Sequence, residues 1–520
     1  MKAIILAAGQ GTRLRPITDD KPKCMVQFQE RPIIDHIVEN FRLCGIDEII
    51  VVSGYKSNIL ERHLKDQNIQ FVINKKYDST NMLYSLFCVE NQMNDDLIIS
   101  YSDIIFSTQI LQNLITSKNN FSVSIDLKWE KLWRIRMDSY ISDVETLKMD
   151  SKGLITEIGK VPSNTEEIQG QYIGLIKIKK NQILTIKNIY DQLKNKKLNN
   201  RTRDNMFMTD FLQFMIEQQI QISSEKIQGG WLEIDTIQDL DRYSKDLKEL
   251  PVWEWQNLLG DVKEIAKAAG EKIKNLQNMG EIKIKIDNSP LTKADLLADE
   301  FIKNELGGLN VKYPILSEEG VSKNTWEERK KWTTYWLIDP IDGTKEYIQG
   351  RKDYTVNIAL IHKNEPVLGV VYCPAYEEIY YASKNWGSFK EDIKNKKISL
   401  LKNSKQSDPL RVVISRSHKG DLLKNFLEKI PFHQIIQMGS SLKICRIADG
   451  TCDIYPRLGP LSEWDIAAAG MILREAGGEI FNLDGDLITF DTVNGRISSF
   501  VACGATVQNM ILDILQKKNR

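Results

Sequence analysis

At 520 residues the chain is several times longer than a typical domain of about 150, which excludes a small stapled scaffold and predicts two domains with cores of their own. Its composition, 42% hydrophobic, 27% charged and 8% aromatic, excludes wholesale disorder and a fibrous repeat. The 70 Lys and Arg balance 70 Asp and Glu, which argues against general affinity for nucleic acid or an anionic membrane surface and leaves any anion site to a local cluster.

From Met1 to about Tyr101 the pattern alternates. Apolar KAIIL is followed by a helical stretch from Pro32 to Cys44, then IIVVS, a helix near Ser57 to Leu64, QFVI, a helix from Thr80 to Val89, and LIIS. This predicts βαβ units and a mostly parallel sheet covered by helices on both faces, with ligands beyond the C-terminal ends of the strands. The opening MKAIILAAGQGTR has too short an apolar run for a leader and reads as a strand entering a loop. No run of about 18 apolar residues occurs, so no membrane helix is expected. Lys- and Asn-rich stretches at 179–205 and 388–408 are expected to be solvated loops or exposed helix faces.

Around 245–255 the text changes. Charged KDLKEL and Pro251 give way to Trp255, Leu258, Leu259, Val262, Ile265, Ala266, Ala269, Ile273 and Leu276 at helical spacing. Two domains, 1–248 and 249–520, are therefore expected. The second contains extended runs, YTVNIALI and VLGVVYCPA, and then helical WDIAAAGMILREAGG, which predicts alternating α and β layers. No internal repeat links the halves.

Seven cysteines, Cys24, Cys44, Cys88, Cys373, Cys445, Cys452 and Cys503, stand singly in apolar stretches, without zinc or disulfide spacing. A reducing cytoplasm suits them. Five dispersed histidines point any metal chemistry toward oxygen ligands and hard cations such as Mg²⁺.

The segment LAAGQGTRLRPITDDKPKCM, residues 6–25, ends a strand with Gly9 and Gly11 and gathers Arg13, Arg15, Lys21 and Lys23 in one loop. Glycines let backbone N–H groups approach phosphate oxygens, and the cations neutralise them. A lone G-x-G is also an ordinary strand-to-helix turn. The full string resembles the signature of the sugar-phosphate and choline-phosphate nucleotidyltransferases, over about residues 1–245. YDSTNMLYSL (77–86), ISYSDIIF (99–106), QYIGL (171–175) and WLEIDTIQDL (231–240) resemble later landmarks of its cytidylyltransferase branch. The resemblance implies that Asp103 and Asp235 hold Mg²⁺ while Lys23 and Arg13 bind the triphosphate of CTP. It also implies nucleotide contacts from Leu6, Ala7, Ala8, Gly9, Gly11, Thr12, Asn81 and Ser102. The implied reaction is in-line attack by an acceptor phosphate on the α-phosphorus, with pyrophosphate leaving and no covalent nucleophile.

The stretch SIDLKWEKLWRIRM contains Asp126, Lys128, Trp129, Trp133 and Arg136, a cluster similar to one in cytidylyltransferases acting on phosphocholine and on phosphoglutamine. Asp126, Lys128 and Trp129, with Tyr172 and Glu233, are the expected acceptor contacts. Aromatic faces suit a quaternary ammonium, but Trp129 and Trp133 at i and i+4 equally make a helix packing pair. The acceptor is thus left as a small phosphorylated alcohol, amine or amide.

In the C-terminal half the informative residues are acidic. SEEG supplies Glu318 and Glu319, DPIDGT supplies Asp339, Asp342 and Thr344, and SEWD supplies Glu463 and Asp465. Clustered carboxylates repel unless a cation lies among them. In this order they resemble the inositol monophosphatase superfamily, over about residues 255–510. SPLTKAD, DPIDGTKEYI, SRSH, MGSSLK and YPRLGPLSEWD are similar to bacterial 3'(2'),5'-bisphosphate nucleotidases, which remove the 3'-phosphate of adenosine 3',5'-bisphosphate. The resemblance implies one Mg²⁺ on Glu318, Asp339 and the Ile341 carbonyl, and another on Asp339, Asp342 and Asp465, two or three ions in all. It gives Thr292, Asp287 and Thr344 the task of positioning and deprotonating water. Gly343 and its neighbours would cradle the scissile phosphate. Gly439, Ser440, Ser441 and Lys443 make a second anion site or an ordinary helix cap, and Arg457 reaches the other phosphate. The stretch 321–336 is expected to form a charged flap.

The expected fold class is α/β: a Rossmann-like, GT-A-like nucleotidyltransferase domain followed by a layered αβαβα inositol-monophosphatase-like domain. The expected function is a cytoplasmic, bifunctional Mg²⁺ enzyme. Its partners would be CTP, a small phosphorylated acceptor and adenosine 3',5'-bisphosphate, with no nucleic acid and no membrane. Two alternatives stay open: a sugar-1-phosphate nucleotidyltransferase joined to an inositol or sugar phosphate phosphatase, or one domain serving only as a nucleotide sensor.

Overall fold

In the computed structural model the opening apolar run becomes the strand Lys2–Ala7, buried almost throughout between two neighbours. The structure describes residues 1–250, 253–277, 282–284, 290–323, 325–403, 406–416, 420–490, 492–493 and 495–516. Backbone contacts divide the chain into two units, Met1–Glu254 and Trp255–Arg520. Among the described residues no helix is long and apolar enough to cross a membrane.

In the first unit a seven-stranded sheet runs in the spatial order Ser223–Ile227, Phe121–Asp126, Gln171–Ile178, Leu97–Tyr101, Lys2–Ala7, Glu48–Ser53 and Gln70–Ile73. Only Gln171–Ile178 runs against its neighbours; the other pairings are parallel. Helices on the crossovers cover these strands, which is why the strands read as unbroken apolar runs. Ile33–Leu43, for example, buries Ile33, Ile34, Ile37, Val38 and Phe41 at helical spacing. A separate antiparallel ladder joins Ile104–Phe106 to Trp231–Glu233. With the bond from Ile234 N–H to the Asp103 carbonyl at 2.9 Å, it sets Asp103 beside Asp235, although 132 positions separate them. The stretch 179–205 is less solvated than expected: within it the helix Ile183–Gln192 buries Ile183, Ile186, Ile189 and Tyr190.

The second unit opens with the helix Trp253–Leu276, whose first two residues precede the unit boundary. It contains two sheets. The larger runs in the order Ile315–Ser317, Thr334–Asp342, Thr355–His362, Glu365–Cys373, Glu378–Ser383, Gly387–Asp392 and Lys397–Leu400. The smaller runs His433–Gln437, Leu410–Ile414, Ile454–Arg457, Phe500–Cys503 and Glu479–Asn482. One core cluster combines the larger sheet (Leu337, Ala359, Val371), the helices Leu442–Ala448 and Ala467–Glu475, and the smaller sheet (Tyr455, Ile480, Ala502), giving alternating layers.

Two expectations need correction here. Within 388–408, residues 388–392 and 397–400 are strand: they make up most of the last two strands of the larger sheet, whose lysines suit an edge exposed to water. In the expected flap, the segment from Thr334 onward belongs to a strand, and Trp326–Arg329 forms a short helix.

Candidate active sites

The first site lies beyond the C-terminal ends of Lys2–Ala7 and Leu97–Tyr101. A cavity of about 140 Å³ is lined by Leu6, Ala7, Ala8, Gly9, Lys23, Asn81, Ser102 and Asp103, all expected nucleotide or metal residues, together with Tyr77 and Tyr101. Gly11 has φ 63°, and a Cβ there would stand 2.9 Å from the Lys23 Cβ, so this glycine both makes the turn and lets Lys23 fold beneath it. Gly9 has open space around its missing Cβ; the fold itself does not require it. Asn81 caps the helix Met82–Phe87, accepting from the Met82 N–H at 2.8 Å. Thr12 begins the turn Thr12–Leu14 and does not line this cavity.

Lys23 is the electrostatic centre. Its Nζ donates to Asp103 Oδ2 at 2.5 Å and Asp235 Oδ1 at 2.7 Å, and Arg13 pairs with the other Asp235 oxygen. Burial opposes the ammonium charge, but Asp103, Asp235 and Glu233 outweigh it and hold the pKa above the ordinary lysine range. The same cations hold Asp235 low, against the effect of its burial. Asp103 Oδ1 is buried with no hydrogen-bond partner. A buried carboxylate oxygen without a partner, beside a second carboxylate and in an all-oxygen donor set, fits Mg²⁺.

Next to this a cavity of about 500 Å³ is lined by Arg13, Tyr101, Trp133, Glu145, Tyr172, Arg201, Trp231, Glu233 and Asp235, among others. Of the expected acceptor residues, Tyr172 and Glu233 are here; Asp126, Lys128 and Trp129 are not. Asp126 is a structural staple, accepting from the N–H groups of Lys128 and Gly229 and from Trp231 Nε1 at 2.8–2.9 Å. Trp129 is buried edge to face against Trp133, centroids 6.0 Å apart, as the packing alternative required. Lys128 is exposed and precedes that helix. Glu233 is held by Arg136, a buried guanidinium that also donates to Asp239 at 3.1 Å. Glu145 was not singled out from the sequence: it accepts from Thr209 at 3.2 Å, and burial pushes its pKa to about 7.

In the second unit a break in strand register creates the acidic cluster. Asp339 pairs with Asn357 and Asp342 with Thr355, so the Thr334–Asp342 strand uses three steps where its partner uses two. Residues three apart on a regular strand face opposite ways; the bulge at Pro340–Ile341 turns both carboxylates to one side. Oxygens of Asp339, Asp342 and Asp465 lie within 4.8 Å of one another. Burial and mutual repulsion, with Glu318 adjoining, push Asp339 well above the carboxylate range, Asp465 to about 8 and Asp342 to about 6. Such a set of oxygen donors fits hard divalent cations. Glu463 does not join it: its carboxylate accepts from the Thr492 N–H at 2.8 Å.

Beside the cluster, a cavity of about 220 Å³ is lined by Asp342, Gly343, Thr344, Gly439, Ser440, Ser441, Lys443, Arg457 and Asp465. Ser441 N–H donates to Asp342, and the buried Lys443 Nζ reaches the Ser440 carbonyl. Burial draws the Lys443 pKa down to about 8, against the pull of Asp342. Thr344 Oγ1 donates to the Ile341 carbonyl at 3.1 Å and reaches Asp295 Oδ1 at 3.4 Å. Asp295 is the residue missed from the sequence. Thr292, expected to handle water, instead donates its hydroxyl to Asp295 Oδ2 at 2.5 Å within a helix capping box. The T-x-x-D spacing in SPLTKAD was the available signal. Asp287 lies outside the described residues.

Residues 254–517 match the inositol monophosphatase family, and residues 3–125 match the MobA-like NTP transferase domain. The chain is 42% identical over 249 residues to the CTP:phosphoglutamine cytidylyltransferase of Campylobacter jejuni, covering 46% of this chain and 98% of that protein. It is 40% identical over 236 residues to the 3'(2'),5'-bisphosphate nucleotidase CysQ of Salmonella typhimurium, covering 45% of this chain and 94% of that one. The crystal structure of CysQ from Bacteroides thetaiotaomicron matches with 32% identity and a TM-score of 0.43, over 48% of this chain and 97% of that one.

Proposed function

The chain belongs to the inositol monophosphatase family through residues 254–517, behind a nucleotidyltransferase domain, and from that premise we propose two Mg²⁺-dependent reactions and their residues. Residues 1–248 transfer a cytidylyl group from CTP to a small phosphomonoester carrying an amide or amine, such as glutamine phosphate. Residues 249–520 hydrolyse a phosphomonoester of the adenosine 3',5'-bisphosphate kind. The two relatives' names supply CTP, phosphoglutamine and the 3'(2'),5'-bisphosphate nucleotide class, and the sequence resemblance supplies adenosine.

For transfer, the observation that carries the reading is Lys23 held between Asp103 and Asp235 where the two cavities meet. Lys23 and Arg13 neutralise the triphosphate as the acceptor phosphate approaches from the larger cavity. Mg²⁺ on Asp103 and Asp235 would screen the remaining charge. Glu233, fixed by Arg136, and Glu145 face the acceptor with Tyr172.

For hydrolysis, Asp339, Asp342 and Asp465, with Glu318 and the Ile341 carbonyl, would hold two or three Mg²⁺ ions. When bound, such ions would supply Lewis-acid neutralisation of charge on the phosphate and the leaving oxygen. Asp295 Oδ1 stands 3.4 Å from the Thr344 hydroxyl, so this pair is placed to orient the attacking water and take its proton. Lys443 and Arg457 supply positive charge to the phosphates of the substrate. A reducing, cytoplasmic setting accords with seven free cysteines, five of them buried.

Phosphorus NMR of the full chain with CTP, glutamine phosphate, phosphocholine and adenosine 3',5'-bisphosphate follows both reactions in one tube. Asp103→Asn is expected to abolish pyrophosphate release alone, and Asp342→Asn phosphate release alone. Turnover surviving in its own half in either variant overturns that half's assignment, and turnover only with sugar phosphates overturns the substrate reading.

A further inference from the structure

The SRSH stretch at 415–418 has no task in the phosphatase reading. Ser417 and His418 lie outside the described residues. Ser415 lines the phosphate cavity, but Arg416 does not. Its guanidinium pairs with Asp353 and stands 3.9 Å from Glu346. The Asp353 side chain is 5% exposed, and the oxygen that meets Arg416 also accepts the backbone N–H of Gly439. Burial alone would raise the pKa of this carboxyl; the Arg416 charge and the Gly439 N–H hold it below the ordinary range.

Two glycines mark the same joint. A Cβ on Gly439 would stand 2.6 Å from Glu346 Cγ and 2.9 Å from the Asp353 carbonyl oxygen. A Cβ on Gly343, at φ 87°, would stand 3.2 Å from that same oxygen and 3.4 Å from Ser440 Cβ. Asp353 is therefore wedged between the turn that follows Asp342 and the segment that begins at Gly439. Both border the phosphate cavity.

We propose that Asp353 and Arg416 are a positioning pair that locks the Gly343 turn and the Gly439–Lys443 segment together, so that the phosphate cavity is formed before substrate arrives. Neither residue touches substrate. A preformed anion site spares the ordering cost of binding, so loosening it weakens ground state and transition state alike and falls on KM more than on kcat. A single guanidinium nitrogen, Nη1, meets Asp353 while staying near Glu346, and the shorter lysine side chain would carry its charge less far.

The proposal rests on the phosphatase reading, and the full-length enzyme tests both. Asp353→Asn keeps an oxygen for Gly439 N–H but removes the charge; Arg416→Lys keeps the charge on a shorter side chain. In Asp353→Asn, KM for adenosine 3',5'-bisphosphate and the inhibition constant of inorganic phosphate should each rise about 10-fold, kcat should stay within about 3-fold, and the Mg²⁺ dependence should not move. Arg416→Lys should lie between it and wild type, and carries the same readouts if Asp353→Asn does not fold. Unchanged constants in Arg416→Lys and Asp353→Asn overturn the proposal alone, as does a loss confined to kcat or to Mg²⁺ dependence. Absence of hydrolysis by wild type overturns the phosphatase reading and this proposal with it.

Discussion

Asp295 shows how a single side chain links local folding to chemistry. It closes the capping box of the helix Lys293–Gly308 through Thr292 and offers its other oxygen to Thr344 beside the acidic cluster. Replacing it with Asn keeps an acceptor but loses the base, so phosphate release should fall by about 10²–10⁴ while cytidylyl transfer by the same molecule continues. Thr344→Val should give a smaller loss, and full phosphatase turnover in Asp295→Asn would show that the proton goes elsewhere. The cluster residues Asp339, Asp342 and Asp465 were legible because they stand in strings with a definite order. Asp295 was not, because a capping Asp carries no mark that its second oxygen meets Thr344. Asp126 misled in the opposite sense: its string resembles an acceptor motif, but three donors, two of them more than 100 residues away, occupy its carboxylate.

Elements place these residues through contacts that a linear reading does not contain. The helix Ala467–Glu475 follows Asp465 after one residue, Ile466, and lies against the strand Glu365–Cys373, where a Cβ on Gly369 would stand 2.3 Å from the Ala468 carbonyl oxygen. That oxygen is backbone and cannot swing aside. Gly369→Ala should therefore cost about 1–3 kcal/mol and raise the Mg²⁺ concentration needed for phosphatase activity, since the turn leading into this helix carries Asp465. Gly260→Ala is the control: the site is an exposed helix position with nothing within 4 Å, and the change should stabilise by about 0.5–1 kcal/mol. Equal melting temperatures for the two variants would refute the close-packing account. The helix itself was plain in AAAG and its apolar spacing. The bulge between Asp339 and Asp342 was not, because it exists only in register with Thr355 and Asn357. The strands of 388–408 were hidden for a different reason, since lysines that keep an edge strand from pairing also make it read as loop.

At the scale of the whole chain, a formal charge of zero conceals two opposite arrangements. The first unit surrounds its cation Lys23 with acids; the second gathers acids with few cations and leaves them mutually repelling. The second arrangement has a thermodynamic consequence. Burial and the neighbouring Asp342 and Glu318 push the folded-state pKa of Asp465 up to about 8, so without metal the folded protein holds a proton that the unfolded chain releases. Stability from this group is complete below the unfolded value and is lost as pH rises through the folded one. In EDTA the phosphatase unit should accordingly melt lower at about pH 8.5 than at about pH 6. Mg²⁺ replaces the proton and should flatten that slope. At 100 times its Kd it should add about 2.7 kcal/mol, a rise of about 5–10 °C for a unit of this size. Asp465→Asn, with no group to titrate there, should show a shallower slope in EDTA and a weaker Mg²⁺ shift. A melting temperature indifferent to Mg²⁺ at both pH values would mean that the three carboxylates do not form a cation site, whatever the activity assays report.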